Sequence, residues 1–197
     1  MVRGGKLSAV MDFSSAGRSG DNCMGEVLEI EIKCYCDDDG KVKNLLKEIG
    51  AQFIENRNET DIYFNHPFRN FGDTDEALRL RKVNSKCRIT YKGPKVSKTT
   101  KARIEHETEA GDFESMKNIL LSLGFSESGS IEKVRDVFSY NGTEISIDYV
   151  TGLGTFVEIE KIGELKDEIE KELFDTAAKL GLTKFERRSY LEMKYFS

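Results

Sequence analysis

Between Val27 and Lys33 the chain reads V-L-E-I-E-I-K, so that Glu29, Glu31 and Lys33 alternate with Leu28, Ile30 and Ile32. Successive side chains of a β-strand point to opposite faces, and alternation of this length gives the strand one charged and one apolar face. Taken alone, the stretch fits a surface strand with its charges in water. The pattern then recurs. Arg79 and Arg81 sit between Leu78, Leu80 and Val83; Arg103, Glu105, Glu107 and Glu109 share a face; Lys133 and Arg135 share another. Ser146 and Asp148 lie between Ile145, Ile147 and Tyr149, and Glu158 and Glu160 alternate with Val157 and Ile159. Some strands carry acids and others bases. A sheet closed into a barrel can turn all these faces inward and leave its apolar outside to be covered by helices. The expected fold is therefore α+β: a closed or nearly closed antiparallel barrel of about eight strands with helices packed outside. Charges buried in this way must be paired or must meet an ion or ligand.

The helices that would cover such a barrel are visible. Asp37-Asp38-Asp39-Gly40 is a turn and N-cap signal, followed at helical spacing by Val42, Leu45, Leu46 and Ile49 and stopped by Gly50. Asp112 begins a similar helix through Phe113, Met116, Ile119, Leu120 and Leu123, stopped by Gly124. Strand–helix–strand thus occurs twice, which predicts two pseudo-equivalent halves. Leu165, Ile169, Leu173, Phe174, Ala177 and Leu180 mark a longer amphipathic helix, and a short final one holds Tyr190, Met193 and Tyr195. Residues 53–54 and 61–64 read as two separate strands, 102–109 as another, and 155–161 as the last. Asn141-Gly142 is a strong two-residue hairpin turn between 133–140 and 143–150. Residues 95–101 form a basic linker with no apolar pattern, expected as a solvated loop; ordering over bound substrate is the alternative. Residues 1–25 have no stable periodicity and are expected as a disordered tail, with Met24 as an alternative start.

Several function classes are excluded by composition. The net charge of −5 over 197 residues does not suggest a nucleic-acid partner. No apolar run is long enough to span a membrane. The 4 cysteines form no C-x-x-C pair, which argues against zinc and for free thiols in a reducing cytoplasm. The 2 histidines, His66 and His106, lie too far apart to suggest a His-metal site. The acids at 37–39 lack the ligand spacing of a calcium loop. The 33% charged content is high, and an inward-facing charged lumen accounts for part of it.

The E-I-E-I-K run resembles the E-x-E-x-K signature that opens the CYTH domain of the triphosphate tunnel metalloenzymes. Further matches follow in that family's order: D-I-Y-F from Asp61, A-L-R-L-R from Ala77, T-Y-K-G-P from Thr90, R-I-E-H-E from Arg103, K-V-R from Lys133, I-D-Y-V from Ile147 and G-T-F-V-E-I-E from Gly154. The resemblance runs from about residue 27 to the C-terminus, which implies a single domain over 26–197. It implies that Arg79, Arg81, Lys92, Lys133 and Arg135 hold a triphosphate. It implies Mg²⁺ or Mn²⁺ on Glu29, Glu31, Asp148, Glu158 and Glu160, and catalytic roles for Lys92 and Tyr63. Lys33 completes the first motif and is expected to orient Glu29 or Glu31. For Arg103, Glu105 and Glu107, internal ion pairing and ligand contact fit equally. Members of the family often form dimers, and a homodimer is the matching expectation.

The chemistry suits these residue types. A nucleoside triphosphate carries about four negative charges, partly neutralised by metal. Arginine offers phosphate a planar fork and lysine a point charge, while carboxylates are the hard ligands that Mg²⁺ and Mn²⁺ prefer. Two activities share this machinery. The segments N-E-T-D-I-Y-F-N-H-P and T-Y-K-G-P-K resemble most the class IV adenylyl cyclase branch, which converts ATP to cyclic AMP and pyrophosphate. The alternative is a triphosphatase acting on thiamine triphosphate, inorganic triphosphate or nucleotides. A non-catalytic polyphosphate-binding module is disfavoured, because anion binding alone does not require Glu29, Glu31, Glu158 and Glu160.

Overall fold

The computed structural model describes residues 27–164 and 166–196. The expected tail, Cys23, the Met24 start and Leu165 lie outside the described residues. In chain order the elements are β1 (Val27–Tyr35), α1 (Asp39–Glu48), β2 (Gln52–Asn65), β3 (Ala77–Val83), β4 (Lys86–Lys92), β5 (Glu105–Ala110), α2 (Phe113–Ser122), β6 (Ser126–Tyr140), β7 (Thr143–Val150), β8 (Gly154–Glu164), α3 (Asp167–Lys179) and α4 (Tyr190–Tyr195). The strands form one antiparallel sheet of 8, in the order β1-β8-β7-β6-β2-β3-β4-β5.

The sheet curls until its ends approach. The free edge of β1 is met by the segment before β5: Arg103 and Glu29 exchange backbone hydrogen bonds of 3.2 Å, and Lys101 N donates to Glu31 O at 2.8 Å. Farther along the same edge, Tyr35 N donates to Lys184 O at 2.9 Å and Glu186 N to Lys33 O at 2.8 Å. Both edges of β1 are thereby paired. Its apolar face, Leu28, Ile30 and Ile32, packs with Leu46 of α1 and Leu173 and Ala177 of α3. On the other side of the barrel, Leu80, Ile62 and Phe64 pack with Leu120 of α2. The charged faces of β1, β3, β6, β7 and β8 point inward, as the alternation predicts, whereas Glu107 and Glu109 of β5 are exposed.

The two expected halves are present. The strand order is unchanged when β1–β4 are exchanged with β5–β8, and α1 and α2 occupy equivalent places. Asp38 and Asp112 cap these helices by accepting from Lys41 N and Ser115 N at 2.9 and 2.8 Å. The halves carry inverted charge. In the first, Asp61 on β2 takes a two-point grip from Arg81 on β3; in the second, Arg135 on β6 makes the same grip on Asp148 of β7.

Three sequence expectations are corrected. Residues 53–54 and 61–64 belong to one strand of 14 residues, because the polar run between them pairs with β6 throughout, Glu55 opposite Val137 and Glu59 opposite Lys133. The expected strand 102–109 divides: residues 101–103 serve β1, and Glu105–Ala110 pairs with β4. Residues 95–101 are not simply solvated, since Thr100 and Lys101 are buried and Val96 N donates to Ala102 O at 2.8 Å. Among the described residues no helix is long and apolar enough to cross a membrane.

Candidate active site

Three carboxylates converge in the lumen. β1 and β8 run antiparallel with Glu31 opposite Glu160, and Glu29 lies two residues away on the same face. Ligand oxygens of Glu29, Glu31 and Glu160 all fall within 4.8 Å of one another. Burial and then the neighbouring Glu29 push the Glu160 carboxyl up to about 8. Burial and then Glu158 raise Glu31, against the pull of Lys101. Crowded carboxylates with hard oxygens are a fitting site for Mg²⁺ or Mn²⁺, which would remove this repulsion.

The other two expected metal ligands are differently placed. Glu158 is ion-paired to Arg135 and lies 3.4 Å from Lys101 Nζ. Burial pushes its carboxyl up, but Lys101 and Arg135 outweigh it and hold it well below the usual range. Asp148 is fully buried and held by Arg135, by Lys133 at 2.9 Å and by the Tyr190 hydroxyl at 2.9 Å. The five acids therefore divide into a cluster of three, an adjacent glutamate supplied with cations, and an aspartate that positions two basic residues.

The expected triphosphate-binding residues line the same lumen. Arg81 grips Asp61 through two bonds of 2.7 Å and approaches Glu59 to 3.0 Å. Lys133 lies 3.3 Å from Glu59. Lys92 is paired with Glu105 and lies 3.9 Å from Glu29, which joins the basic wall to the carboxylate cluster. Arg79 is the least satisfied. It donates to Thr90 Oγ1 at 3.1 Å and approaches Glu107 at 3.5 Å, while its buried Nε has no hydrogen-bond partner among the described residues. A buried guanidinium donor without an acceptor suits an anionic ligand.

Tyr63 pairs with Arg79 across β2 and β3; burial and then the charge of Asp61 push its phenol up to about 12, so it stays protonated. Lys33 turns to the C-terminal segment: its ammonium donates to the Arg188 carbonyl and sits 4.1 Å from the Tyr190 ring centroid. Burial and then Lys101 lower its pKa to about 7. Of the residues open to either reading, Glu105 pairs with Lys92 and Glu107 with Arg79 and Arg88, whereas Arg103 is 3.9 Å from Asp75. Sequence reasoning assigned no role to Glu59, Asp61, Lys101 or Tyr190. Glu59, Asp61 and Tyr63 alternate, and that spacing marks them as one face; Tyr190 reaches the lumen from a helix and has no such signal.

The CYTH domain model matches residues 28–190. A protein of Methanocaldococcus jannaschii, named as a candidate adenylate cyclase, is 42% identical over 173 residues, covering 85% of this chain and 99% of that protein. A solved structure from Pyrococcus horikoshii superposes with a TM-score of 0.75 at 38% identity, covering 84% of this chain and 97% of that one. A Hippeastrum structure superposes with a TM-score of 0.64 at 15% identity, covering 85% of this chain and 94% of that one. That protein is described as a candidate adenylyl cyclase with a dominant triphosphatase activity.

Proposed function

The chain belongs to the CYTH family, and from that premise we propose that it is a metal-dependent adenylyl cyclase whose lumen holds the triphosphate of ATP. One observation carries the reading: a single lumen contains both a cluster of three carboxylates and a buried arginine, Arg79, with an unused donor. The name of the Methanocaldococcus jannaschii relative supports the cyclase form. In that reaction the 3′-hydroxyl of ATP loses its proton to solvent as its oxygen bonds to the α-phosphorus, the bond from that phosphorus to the bridging oxygen breaks, and pyrophosphate leaves with the electron pair.

Glu29, Glu31 and Glu160 would hold Mg²⁺ or Mn²⁺, which supplies charge neutralisation at the phosphates. The remaining work falls to the chain's own residues. Arg79 and Arg81 on β3 and Lys133 and Arg135 on β6 present cations from strands, so their directions are set by the sheet. Their acid partners hold them ready before substrate arrives, and such preorganised charge lowers the barrier where negative charge develops on the leaving group. Tyr63, protonated beside Arg79, serves as a hydrogen-bond donor. Lys92 lies between the carboxylate cluster and Glu105 and suits a bridging oxygen. The reading includes a homodimer in a reducing cytoplasm, in keeping with the free thiols Cys34, Cys36 and Cys87.

The alternative is hydrolysis of a triphosphate at its γ-phosphorus. It is supported by the lumen's lining, whose charges suit phosphates, and by the triphosphatase activity of the Hippeastrum protein. A product assay decides. With ATP and Mg²⁺ or Mn²⁺, the cyclase reading expects cyclic AMP and pyrophosphate in equal amounts, lost on chelation and in Arg79→Ala. ADP and phosphate instead would establish the alternative, and no turnover of ATP, inorganic triphosphate or thiamine triphosphate would sink both.

A further inference from the structure

We propose that Lys101 is a built-in second cation of the carboxylate wall, so that the lumen takes one divalent ion where a bare set of acids would take two. The inference rests on the reading of the lumen as a metal and triphosphate site, and concerns how many ions that site accepts.

Lys101 is buried, yet it belongs to no strand and to none of the basic groups of the opposite wall. Its ammonium is ion-paired with Glu31 on β1 and lies 3.4 Å from Glu158 on β8. These carboxylates come from neighbouring strands, lie close enough to repel each other, and share the one ammonium as counter-charge. A buried lysine is tolerated where its charge is paired in this manner.

The segment that delivers Lys101 is fixed. Its backbone N donates to Glu31 O at 2.8 Å, so the residue bonds to the strand whose carboxylate it neutralises. Just before it, Glu170 of α3 accepts from the hydroxyls of Ser97, Thr99 and Thr100 at 2.7, 2.6 and 2.9 Å. Arg187 donates to Ser97 O at 2.9 Å. A cation attached to the chain in this way needs no recruitment from solution.

The pairing of the acids shows which position remains for an ion. Glu158 has Lys101 and Arg135, Glu31 has Lys101, and Glu29 has Lys92 at 3.9 Å. Glu160 has no ion pair among the described residues. One divalent ion beside Glu160, sharing Glu29 and Glu31, completes the wall. A second, between Glu31 and Glu158, would have to displace an ammonium that is already there.

Mn²⁺ binding to the full chain with inorganic triphosphate, followed by titration calorimetry and by loss of the free-ion electron paramagnetic resonance signal, tests this. The wild type is expected to take one Mn²⁺ per chain, Lys101→Met two, and Lys101→Arg, which keeps the charge, one. Two ions in the wild type, or one in a folded Lys101→Met, would overturn the proposal while leaving the metal-site reading intact. No Mn²⁺ bound to wild type with or without triphosphate would instead remove that reading, and this inference with it. The wild-type stoichiometry decides the matter even where Lys101→Met fails to fold.

Discussion

The hydroxyl of Tyr190 donates a 2.9 Å hydrogen bond to Oδ2 of Asp148, an acid with 0% exposure. Tyr190 is the first residue of α4, and its ring also lies under the Lys33 ammonium. The C-terminal segment therefore covers Lys33 and Asp148, while Glu29, Lys92 and Glu160 keep partial exposure. Tyr190→Phe keeps the ring and removes the bond. Hydrogen bonds to charged groups contribute about 1.5–3 kcal/mol, and Arg135 and Lys133 remain on Asp148, so a loss near the lower figure is expected in urea unfolding. Unchanged stability would mean that the hydroxyl does not hold α4 to the lumen.

Gly129 tests the same closure from outside. It lies at the register shift of β6 against β2, where Tyr63 pairs with Gly129 and Phe64 with Glu127. A Cβ there would fall 2.7 Å from Tyr195 and 2.8 Å from Leu191, both in α4. Gly129→Ala should push α4 away and cost about 1–3 kcal/mol, the usual penalty of overpacking. Faster hydrogen exchange confined to residues 190–196 would mark the displaced helix. Exchange equal to the wild type would show that α4 is not seated on Gly129.

Much of this lumen is legible in the sequence because a period of two survives wherever the outward face is apolar. Glu29, Arg79, Arg135 and Glu160 all come from such strands. The first half of β2 is not legible, because its apolar residues are wet, Phe53 57% and Ile54 54% exposed, and residues 55–60 after them are polar. Lys101 escapes for another reason. The alternation is readable only from Ala102 onward, and Lys101, one residue earlier, follows a basic run with no apolar pattern and so reads as part of the linker. The division of the acids into ion-binding and cation-holding groups depends on distances between strands, and the order of strands in a sheet is not written in any one of them.

The thiols provide a third expectation. Burial and then the neighbouring Cys36 push Cys34 up to about 12, and burial also raises Cys36 and Cys87. The thiolate is the reactive form, so at pH 8 only on the order of one Cys34 in ten thousand would be reactive even if reagent could reach it. In a Cys23→Ser background the native chain should resist a thiol-specific disulfide reagent for hours and react fully in denaturant. Rapid native labelling of Cys34, located by mass spectrometry, would contradict its place under α1 and α3.

Acid should weaken the fold through Glu59 and Asp61. Glu59 is 1% exposed and lies 2.6 Å from Arg57, 3.0 Å from Arg81 and 3.3 Å from Lys133. Burial pushes its carboxyl up, but Lys133 and Arg81 outweigh burial and hold it far below its ordinary value of 4.5. Asp61 is likewise held below its ordinary 3.8, burial being outweighed by Arg81. A group whose folded pKa lies below its unfolded one binds protons more readily when unfolded. Its stabilisation is complete above the unfolded value and drains away as pH falls toward the folded one. The part of the urea midpoint that comes from these two acids should therefore be level above about pH 5.5 and fall steadily below about pH 4.5, whereas Glu160, pushed up to about 8, adds a separate loss as pH rises toward that value. Glu59→Gln keeps the shape but leaves three cations short of a charge, and breaking a buried pair costs about 3–5 kcal/mol. That deficit should be greatest at neutral pH and narrow as the solution is acidified, because protonating Glu59 in the wild type produces nearly the same neutral side chain. A variant as stable as wild type at pH 7, or a gap that does not shrink toward pH 3, would show that Glu59 does not neutralise Lys133 and Arg81.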